Sequence, residues 1–445
     1  MRRRHVAVVG GGPAGCLLAC HLARRGHTVT LYERRADPRG GLVGPGRSIG
    51  LALSVRGLAA LDRVGLRERV LAGALPMRGR VVHPAAGAPA YQPFGDRGAR
   101  TLYAIRRGAL NNALLDAAAE APGVQVRFDH ELTDLDPATG ALTFDTGQGP
   151  AQARADVVLG ADGAGSAVRA ALRDRGAVRE EVEVVDYGYK ELTVGPGPDG
   201  RFALDPAALH VWPRGRATMT AMPHADGSFT CTLFWPLSGR AGFDALREPA
   251  EIAAHFAAHY PDVSPLLPDL VAQYRSHPVG RLGTVRTSPW QVGGRVALVG
   301  DAAHAMVPFY GQGANCALED VAELDRCLDA HADAWPDALA AYERRRRDDA
   351  EAIAEMALDD FVRLRDPVTS PAVQAGRRIE RGLHRLLPAV YPSRYALVSF
   401  STVPYASVRR RVRRQQQVLA GVGAAVGAAA VAGGVHALTR RRGPG

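Results

Sequence analysis

Three glycines and one carboxylate near the start of the chain have the types and the spacing that bind a dinucleotide. Gly10, Gly12 and Gly15 form a G-x-G-x-x-G motif, and such glycines let backbone N–H groups approach a pyrophosphate at the positive end of a helix. Glu33 follows Gly15 by 18 residues, where a carboxylate accepts hydrogen bonds from the hydroxyls of an adenosine ribose. We therefore predict a dinucleotide site here, in preference to an ordinary glycine-rich turn.

Two later carboxylates each follow a short apolar run that predicts a buried strand. Asp162 follows residues 157–159, and Asp301 follows residues 296–299. Ligands of such α/β sheets bind at the ends of the strands, so Asp162 is expected beside the dinucleotide and Asp301 within reach of a ribityl hydroxyl. An ordinary Asp-Gly turn is the alternative interpretation for Asp162.

A helix start and an arginine complete the candidate cofactor site. The N–H groups of Gly313, Ala314 and Asn315 precede or begin a predicted helix and are expected to point at a flavin pyrimidine ring. A helix N-terminus in that place stabilises the negative charge of a reduced flavin. Arg107 lies near the start of a helix predicted over residues 105–115, and we expect it to contact the flavin or its ribityl chain; a solvated helix face is the alternative.

The elements that must position these residues follow from the hydrophobic pattern. Residues 5–9 and 28–32 predict two short buried strands, and residues 16–25 predict a helix between them, which makes a βαβ unit. Further helices are predicted over residues 55–71, 342–364 and 372–387.

From residue 181 to residue 235 the pattern changes to strand-like runs that are separated by Gly, Pro and Asp. This change predicts an antiparallel sheet inserted into the α/β domain. Four residues of the sheet either wall an aromatic pocket or form ordinary sheet core, and the second interpretation is favoured for each of them: Phe229, Leu233, Phe234 and Trp235.

Charge and cysteine content argue against several classes of protein. The net charge is +10, but eight arginines and no acid follow residue 397, which leaves +2 for the rest of the chain. The basic excess therefore belongs to a tail, and nucleic acid is not the expected partner. The five cysteines have no metal-ligand spacing, and their odd count fits a reducing compartment. We expect Cys16 and Cys20, one turn apart on the first helix, to pack rather than to form a disulfide.

The two ends of the chain bear on its location. Arg2–Arg4 and the apolar residues after them could suggest a signal peptide, but no cleavage site composed of small residues follows them. A signal peptide is therefore rejected, and a cytoplasmic protein is expected. Residues 418–438 form a stretch of 21 residues without a formal charge, long enough for a membrane span but rich in Ala and Gly. A membrane-associated helix is expected there, with a disordered segment or a soluble packing helix as the alternative.

Taken together, the motifs resemble a known family. Gly10–Gly15, Asp162-Gly163 and Gly300-Asp301 look, in that order, like the three fingerprints of single-component FAD-dependent aromatic hydroxylases. Narrower segments are similar to the kynurenine 3-monooxygenase branch: GRSI at 46–49 with LALS at 51–54, DYGYKEL at 186–192, LHVWPR at 209–214, DGSFTCTLF at 226–234 and GDAAHAMVPFYGQGAN at 300–315.

The resemblance implies an activity and its cofactors. NADPH would reduce bound FAD, and O₂ would add to give a C4a-hydroperoxide that hydroxylates L-kynurenine to 3-hydroxykynurenine. Because the cofactor carries the difficult step, no catalytic side chain and no metal are expected.

The resemblance also implies an architecture, an α/β fold in three parts with a tail. A Rossmann-like FAD domain would be built from residues 1–75, 100–180 and 285–350. A mainly antiparallel substrate domain would comprise residues 76–99 and 181–284, followed by a helical C-terminal region over 351–414 and a basic, apolar tail over 415–445.

Four positions are implied to bind the substrate. Arg80, followed by His83, matches an arginine that holds the amino-acid carboxylate. Phe94 stands where the family has a tyrosine, Asp360 stands where it has an asparagine, and Tyr395 matches a second tyrosine. An acid at position 360 would pair with the substrate ammonium group but would repel a nearby carboxylate.

The two departures leave other functions open. One is the same chemistry on a modified kynurenine or on another aromatic amine or phenol. Another is a membrane-tethered flavoprotein that holds FAD without turnover, for which the only support is the tail.

Overall fold

The computed structural model describes most of the chain outside the C-terminal tail, namely residues 3–40, 50–95, 100–240, 242–365 and 391–418 together with Gly382. The predicted helix over residues 372–387 lies outside these ranges except for Gly382, and the possible membrane helix over 418–438 lies outside them except for Val418. Among the residues described, no helix is both long and apolar enough to cross a membrane.

The strands and helices have the following bounds. The strands are β1 (His5–Val9), β2 (Thr28–Tyr32), β3 (Gly50–Leu53), β4 (Leu75–Met77), β5 (Gly79–Val82), β6 (Ala90–Pro93), β7 (Leu102–Arg106), β8 (Val124–Arg127), β9 (Glu131–Asp136), β10 (Ala141–Asp145), β11 (Pro150–Arg154), β12 (Val157–Gly160), β13 (Arg179–Val194), β14 (Ala208–Arg214), β15 (Ala217–Pro223), β16 (Phe229–Pro236), β17 (Gly280–Ser288), β18 (Gln291–Val292) and β19 (Val296–Leu298). The α-helices are α1 (Pro13–Arg24), α2 (Val55–Asp62), α3 (Arg67–Leu71), α4 (Arg107–Glu120), α5 (Ala167–Asp174), α6 (Pro249–His259), α7 (Leu270–Ser276), α8 (Asp301–His304), α9 (Gly313–Ala330), α10 (Trp335–Arg365), α11 (Arg394–Phe400) and α12 (residues 405–418).

The glycine motif lies at one end of a six-stranded sheet with the order β18-β19-β12-β1-β2-β8. The strands are parallel except for the β18–β19 pair. The apolar side chains of β1 and β2 are almost fully buried, as expected for strands that are covered on both faces. Because α1 connects β1 to its parallel neighbour β2, the predicted βαβ unit is confirmed.

Two three-stranded sheets accompany it, with the orders β11-β10-β9 and β3-β7-β4. In the second sheet, β7 ends at Arg106 and α4 begins at Arg107 without a loop between them. The strand therefore fixes the place of the arginine that the sequence assigns to the cofactor site.

The predicted antiparallel sheet is present and contains seven strands in the order β17-β13-β16-β15-β14-β5-β6, with β5 and β14 as its one parallel pair. Phe229, Leu233 and Trp235 are fully buried in the core between this sheet and α6 and α7. Phe234 lies on the opposite face, with its ring 5.4 Å from that of Phe309. Sheet core is therefore the correct interpretation for the first three residues.

Several predicted helix boundaries are wrong. The helix predicted from residue 16 begins at Pro13, and the helix predicted to end at residue 115 ends at Glu120. Residues 55–71 form two helices, because the chain turns at Gly65 with a φ of +72° that ends the helical path. The helix predicted from residue 342 begins at Trp335, and residues 105 and 106 belong to β7 instead of α4. The division into domains with the boundaries given above stays a prediction.

The C-terminal helices pack against α10 in a buried cluster that includes Met356, Val398 and Tyr405. Arg56 of α2, which is only 1% exposed, holds this layer in place. Its Nε donates to the carbonyl oxygen of Val398 at 3.1 Å, and its Nη2 donates to that of Val403. Its guanidinium carbon lies 3.8 Å from the centre of the Tyr405 ring.

All five cysteines are buried and none forms a disulfide. Cys16 and Cys20 pack within the core around α1, as predicted. Burial raises the pKa of Cys20 to about 11 and that of Cys231 to about 12.

Candidate active site

The turn between β1 and α1 leaves room for a ligand at one glycine and excludes side chains at two others. A Cβ at Gly15 would lie 1.9 Å from the carbonyl oxygen of Gly10, and Gly10 itself has a φ of +108°. At Gly12, by contrast, no atom of the described residues lies within 4 Å of such a Cβ. The helical hydrogen bonds begin with Cys16 N–H to Gly12 O at 2.9 Å, so the first turn of α1 presents its N–H groups to this open space.

Glu33 lies beside this turn at the end of β2. Its Oε2 accepts from the N–H of Gly11 at 2.9 Å, and its Oε1 accepts from the Nε of Arg35 at 2.7 Å. Burial by itself raises the pKa of Glu33, but the hydrogen bonds and charge of Arg35 together with the hydrogen bond from Gly11 N–H outweigh it, so the pKa is lowered and the carboxylate is ionised at neutral pH. An ionised acceptor in this place is what the hydroxyls of a ribose require.

Asp162 follows β12, the neighbour of β1. Its Oδ2 accepts from the N–H groups of Ala167 and Val168 at 2.7 and 3.1 Å. Its Oδ1 is buried and has no hydrogen-bond partner among the described residues. Burial accordingly raises the pKa of Asp162. A buried oxygen without a donor indicates that a bound ligand supplies the missing hydrogen-bond donor.

Asp301 and Arg107 are brought to the same site from distant parts of the sequence. Asp301 begins α8 directly after β19. Burial raises the pKa of Asp301, and the positive charges of His304 and Arg107 act in the opposite direction. Arg107 is exposed and Asp301 is half-buried, and the charge of Arg107 acts to lower the pKa of that carboxyl, so the two side chains are near enough to interact.

The start of α9 offers N–H groups, while the side chain of Asn315 is already engaged. The first helical hydrogen bond runs from Cys316 N–H to Gln312 O at 2.7 Å, which leaves the N–H groups of Gly313, Ala314 and Asn315 without an acceptor inside the described helix. The side-chain oxygen of Asn315 accepts from Ser54 N–H at 2.8 Å, and its Nδ2 donates to carbonyl oxygens of β3 and of the preceding loop. Only its backbone is therefore free for a ligand.

Sequence reasoning missed a buried polar network behind α8 and α9. Asp320 accepts from His304 Nε2 at 2.6 Å and from Arg346 Nε at 2.7 Å. His304, Asp320 and Cys316 come close enough to hold a metal ion, but the carboxylate is already occupied by the guanidinium of Arg346. Nearby, Tyr405 OH donates to Gln312 Oε1 at 2.9 Å and so links α12 to the start of α9.

Three of the four residues predicted to bind the substrate line one cleft of about 230 Å³. Arg80 lies on β5, Phe94 follows β6, and Tyr395 lies on α11. The Tyr395 ring is 6.0 Å from that of Phe94 and 6.3 Å from that of Tyr310, which belongs to the loop before α9. The cleft therefore adjoins the loop that leads to the candidate flavin site. Its other lining residues are Gln92, Pro93, Gly95, Arg100, Pro392, Ser393, Ala396 and Phe400.

Asp360, the fourth predicted residue, does not line this cleft. Its carboxylate forms an ion pair with Arg394, whose guanidinium carbon lies 5.6 Å from the centre of the Tyr310 ring. One ring thus separates the pair from Tyr395. A substrate ammonium group would therefore have to compete with the guanidinium of Arg394 for the carboxylate of Asp360.

Comparison with known proteins agrees with this geometry. Residues 3–357 match the family model described as an FAD binding domain. The chain is 47% identical over 407 residues to the kynurenine 3-monooxygenase of Myxococcus xanthus (91% of this chain, 87% of the relative). It is 46% identical over 448 residues to that of Salinispora arenicola (99% and 98%).

Solved structures show the same fold at lower identity. The tetrameric form of 2-methyl-3-hydroxypyridine-5-carboxylic acid oxygenase superposes with a TM-score of 0.67 at 24% identity, covering 84% of this chain and 95% of that one. The tetracycline destructase Tet(51) superposes with a TM-score of 0.63 at 17% identity, covering 90% and 100%.

Proposed function

Because the chain belongs to the kynurenine 3-monooxygenase family of FAD-dependent monooxygenases, we propose that it hydroxylates L-kynurenine to 3-hydroxykynurenine with FAD, NADPH and O₂. The observation that carries the proposal is the cleft in which Arg80, Phe94 and Tyr395 meet next to the loop before α9. A carboxylate-binding group, an apolar wall and a nearby flavin site are what a ring hydroxylase for an aromatic amino acid needs.

The residues of the Rossmann-like sheet would hold the cofactor. Bound FAD supplies the redox and oxygen chemistry. The open turn at Gly12 would take the pyrophosphate, Glu33 the adenosine ribose, and Asp301 with Arg107 the ribityl chain. The buried oxygen of Asp162 would meet the dinucleotide.

Two groups of this chain would then support the reaction itself. The N–H groups at the start of α9 would stabilise negative charge on the flavin pyrimidine ring. The guanidinium of Arg80 would hold the substrate carboxylate in a bidentate pair, which fixes the orientation of the aromatic ring. The rings of Phe94, Tyr395 and Phe400 would keep water away from the reacting carbon.

A second candidate function is the same chemistry on a modified kynurenine or another aromatic amine or phenol. Two observations favour it. Phe94 offers no hydroxyl to the cleft, and Asp360 is paired with Arg394, so two polar contacts implied by the resemblance are altered. Association with a membrane through residues 418–438 stays a prediction.

The first experiment measures NADPH oxidation by the purified, FAD-loaded protein with and without L-kynurenine. The proposal predicts strong stimulation by L-kynurenine and a product heavier by one oxygen atom, identified by mass and retention time. Stimulation only by related aryl amines would support the second candidate. If the protein binds FAD but no aromatic compound stimulates NADPH oxidation, both candidate functions are contradicted and a flavoprotein without turnover is favoured.

Replacement of Arg80 by Ala is expected to weaken substrate binding while FAD is retained. The Nε of Arg80 donates to Gln92 Oε1 at 2.8 Å, and within the described residues its two Nη groups have no acceptor and can bind a carboxylate. Loss of such a charge-assisted pair raises the Kd of L-kynurenine about 10- to 100-fold. The change in flavin absorbance on titration measures this Kd. Arg275→Ala, which removes an exposed arginine of α7 that does not line the cleft, is the matched control. Loss of FAD with unchanged substrate binding would contradict the assignment of Arg80.

A further inference from the structure

A second guanidinium lines the candidate substrate cleft. Arg100 is half-buried, and its guanidinium carbon lies 5.6 Å from the centre of the Phe400 ring. The Phe400 ring in turn lies 5.6 Å from that of Phe94. Arg80 and Arg100, the two arginines among the residues that line the cleft, thus border the same space of about 230 Å³.

Contacts with Phe94 and Gly95 set the position of Arg100. Its backbone N–H donates to the carbonyl oxygen of Phe94 at 3.1 Å. Gly95 has a φ of +74°, and a Cβ there would lie 2.9 Å from Cδ of Arg100, so the arginine stem packs directly over this glycine. The Phe94 ring, which lacks a hydroxyl, and the Arg100 side chain therefore line the same cleft.

The charges of the cleft are not balanced within the described part of the chain. No ion pair joins Arg80 or Arg100 to an acid among the described residues, and the described residues that line the cleft include no acid. Asp360, the acid predicted for this site, is paired with Arg394. Two guanidinium groups beside aromatic rings call for an aromatic ligand that carries a carboxylate.

We propose that Arg100 is a further substrate-binding residue, which binds the substrate carboxylate together with Arg80 and supplies the polar contact that Phe94 lacks. The inference rests on the proposed function, because it takes the ligand to be an aromatic amino acid. It makes the carboxylate, and not the ammonium group, the part of the substrate that this cleft recognises.

The test compares two ligands of the FAD-loaded protein in the absence of NADPH. L-kynurenine carries the carboxylate, whereas kynuramine has the same ring, ketone and ammonium group without it. Arg100→Met is expected to raise the Kd of L-kynurenine about 10-fold and to leave that of kynuramine within about twofold. Arg100→Lys should give an intermediate Kd, and Phe94→Tyr in the Arg100→Met background should recover part of the loss. Arg275→Met is the control for removal of a positive charge.

The outcomes separate the inference from the proposed function. An equal loss of affinity for both ligands in Arg100→Met would indicate a structural role and overturn the inference alone. An unchanged Kd for L-kynurenine would do the same. A wild-type protein that binds neither ligand would contradict the proposed function, and the inference would fall with it.

Discussion

Replacement of Gly12 by Ala is expected to give a folded protein without FAD, whereas the same replacement at Gly15 is expected to destabilise the fold. At Gly12, a φ of −76° is accessible to alanine and no atom of the described residues lies within 4 Å of the added Cβ. The new methyl group would therefore occupy the space into which the pyrophosphate must fit. At Gly15, the Cβ would lie 1.9 Å from the carbonyl oxygen of Gly10, so β1 and α1 must move apart, at a cost of about 3 kcal/mol.

Two measurements distinguish these effects. The ratio of flavin to protein absorbance gives the FAD content, and thermal unfolding of the FAD-free proteins gives their stability. Gly73→Ala is the control, because no atom of the described residues lies within 4 Å of a Cβ there, and it should match the wild type in both. A Gly12→Ala protein that keeps a full complement of FAD would show that the pyrophosphate does not bind at this turn.

Replacement of Arg56 by Leu should release the C-terminal helices and destroy the substrate cleft while FAD stays bound. The change removes hydrogen bonds to two backbone carbonyl oxygens, the contact with the Tyr405 ring and an ion pair with Glu319 at 2.9 Å. Glu319 keeps Arg346 as a partner at 3.0 Å, but the carbonyl group of the buried Val398 loses this donor. We expect a loss of about 3 kcal/mol in the stability of this layer.

Because α11 carries Tyr395 and Phe400, this loss should appear as weaker substrate binding. Hydrogen exchange of residues 391–418 measures the release, and titration with L-kynurenine measures the consequence for the cleft. The control is Arg67→Leu, which breaks a half-exposed ion pair with Asp62. It should change neither the hydrogen exchange of residues 391–418 nor the affinity for L-kynurenine by more than the equivalent of about 0.5 kcal/mol. Unchanged exchange in the Arg56→Leu protein would mean that other contacts hold α11 and α12.

The parts of the fold that were predictable depend on short-range patterns. A pattern of no more than about 30 residues is enough to predict each of three features: the glycine motif, the two strands around it and the alternating strands of the antiparallel sheet. The break between α2 and α3 was also readable, since Gly65 stands in the middle of the supposed helix. The start of α10 at Trp335 was harder to predict, because Ala334 before it offers no side-chain cap and only Pro336 in the first turn marks a helix start.

The missed residues depend on partners that are far away in the sequence. The side chain of Asn315 bonds to Ser54, which precedes it by 261 residues, and Arg56 bonds to Val398, 342 residues later. No local pattern distinguishes a helix arginine that is buried in this way from a solvated one. The partner of Asp360 was missed for the same reason, because the sequence alone does not bring Arg394 back onto α10.

The burial of the five thiols has a consequence for the durability of a flavin monooxygenase. Reduced flavin that meets O₂ without substrate yields hydrogen peroxide, so the protein is exposed to an oxidant of its own making. The thiolate, and not the thiol, is the form that peroxide attacks. Since every cysteine is buried, and burial raises the pKa of Cys20 to about 11 and that of Cys231 to about 12, the thiols stay protonated and out of reach. Idle turnover should therefore inactivate this chain slowly through cysteine oxidation.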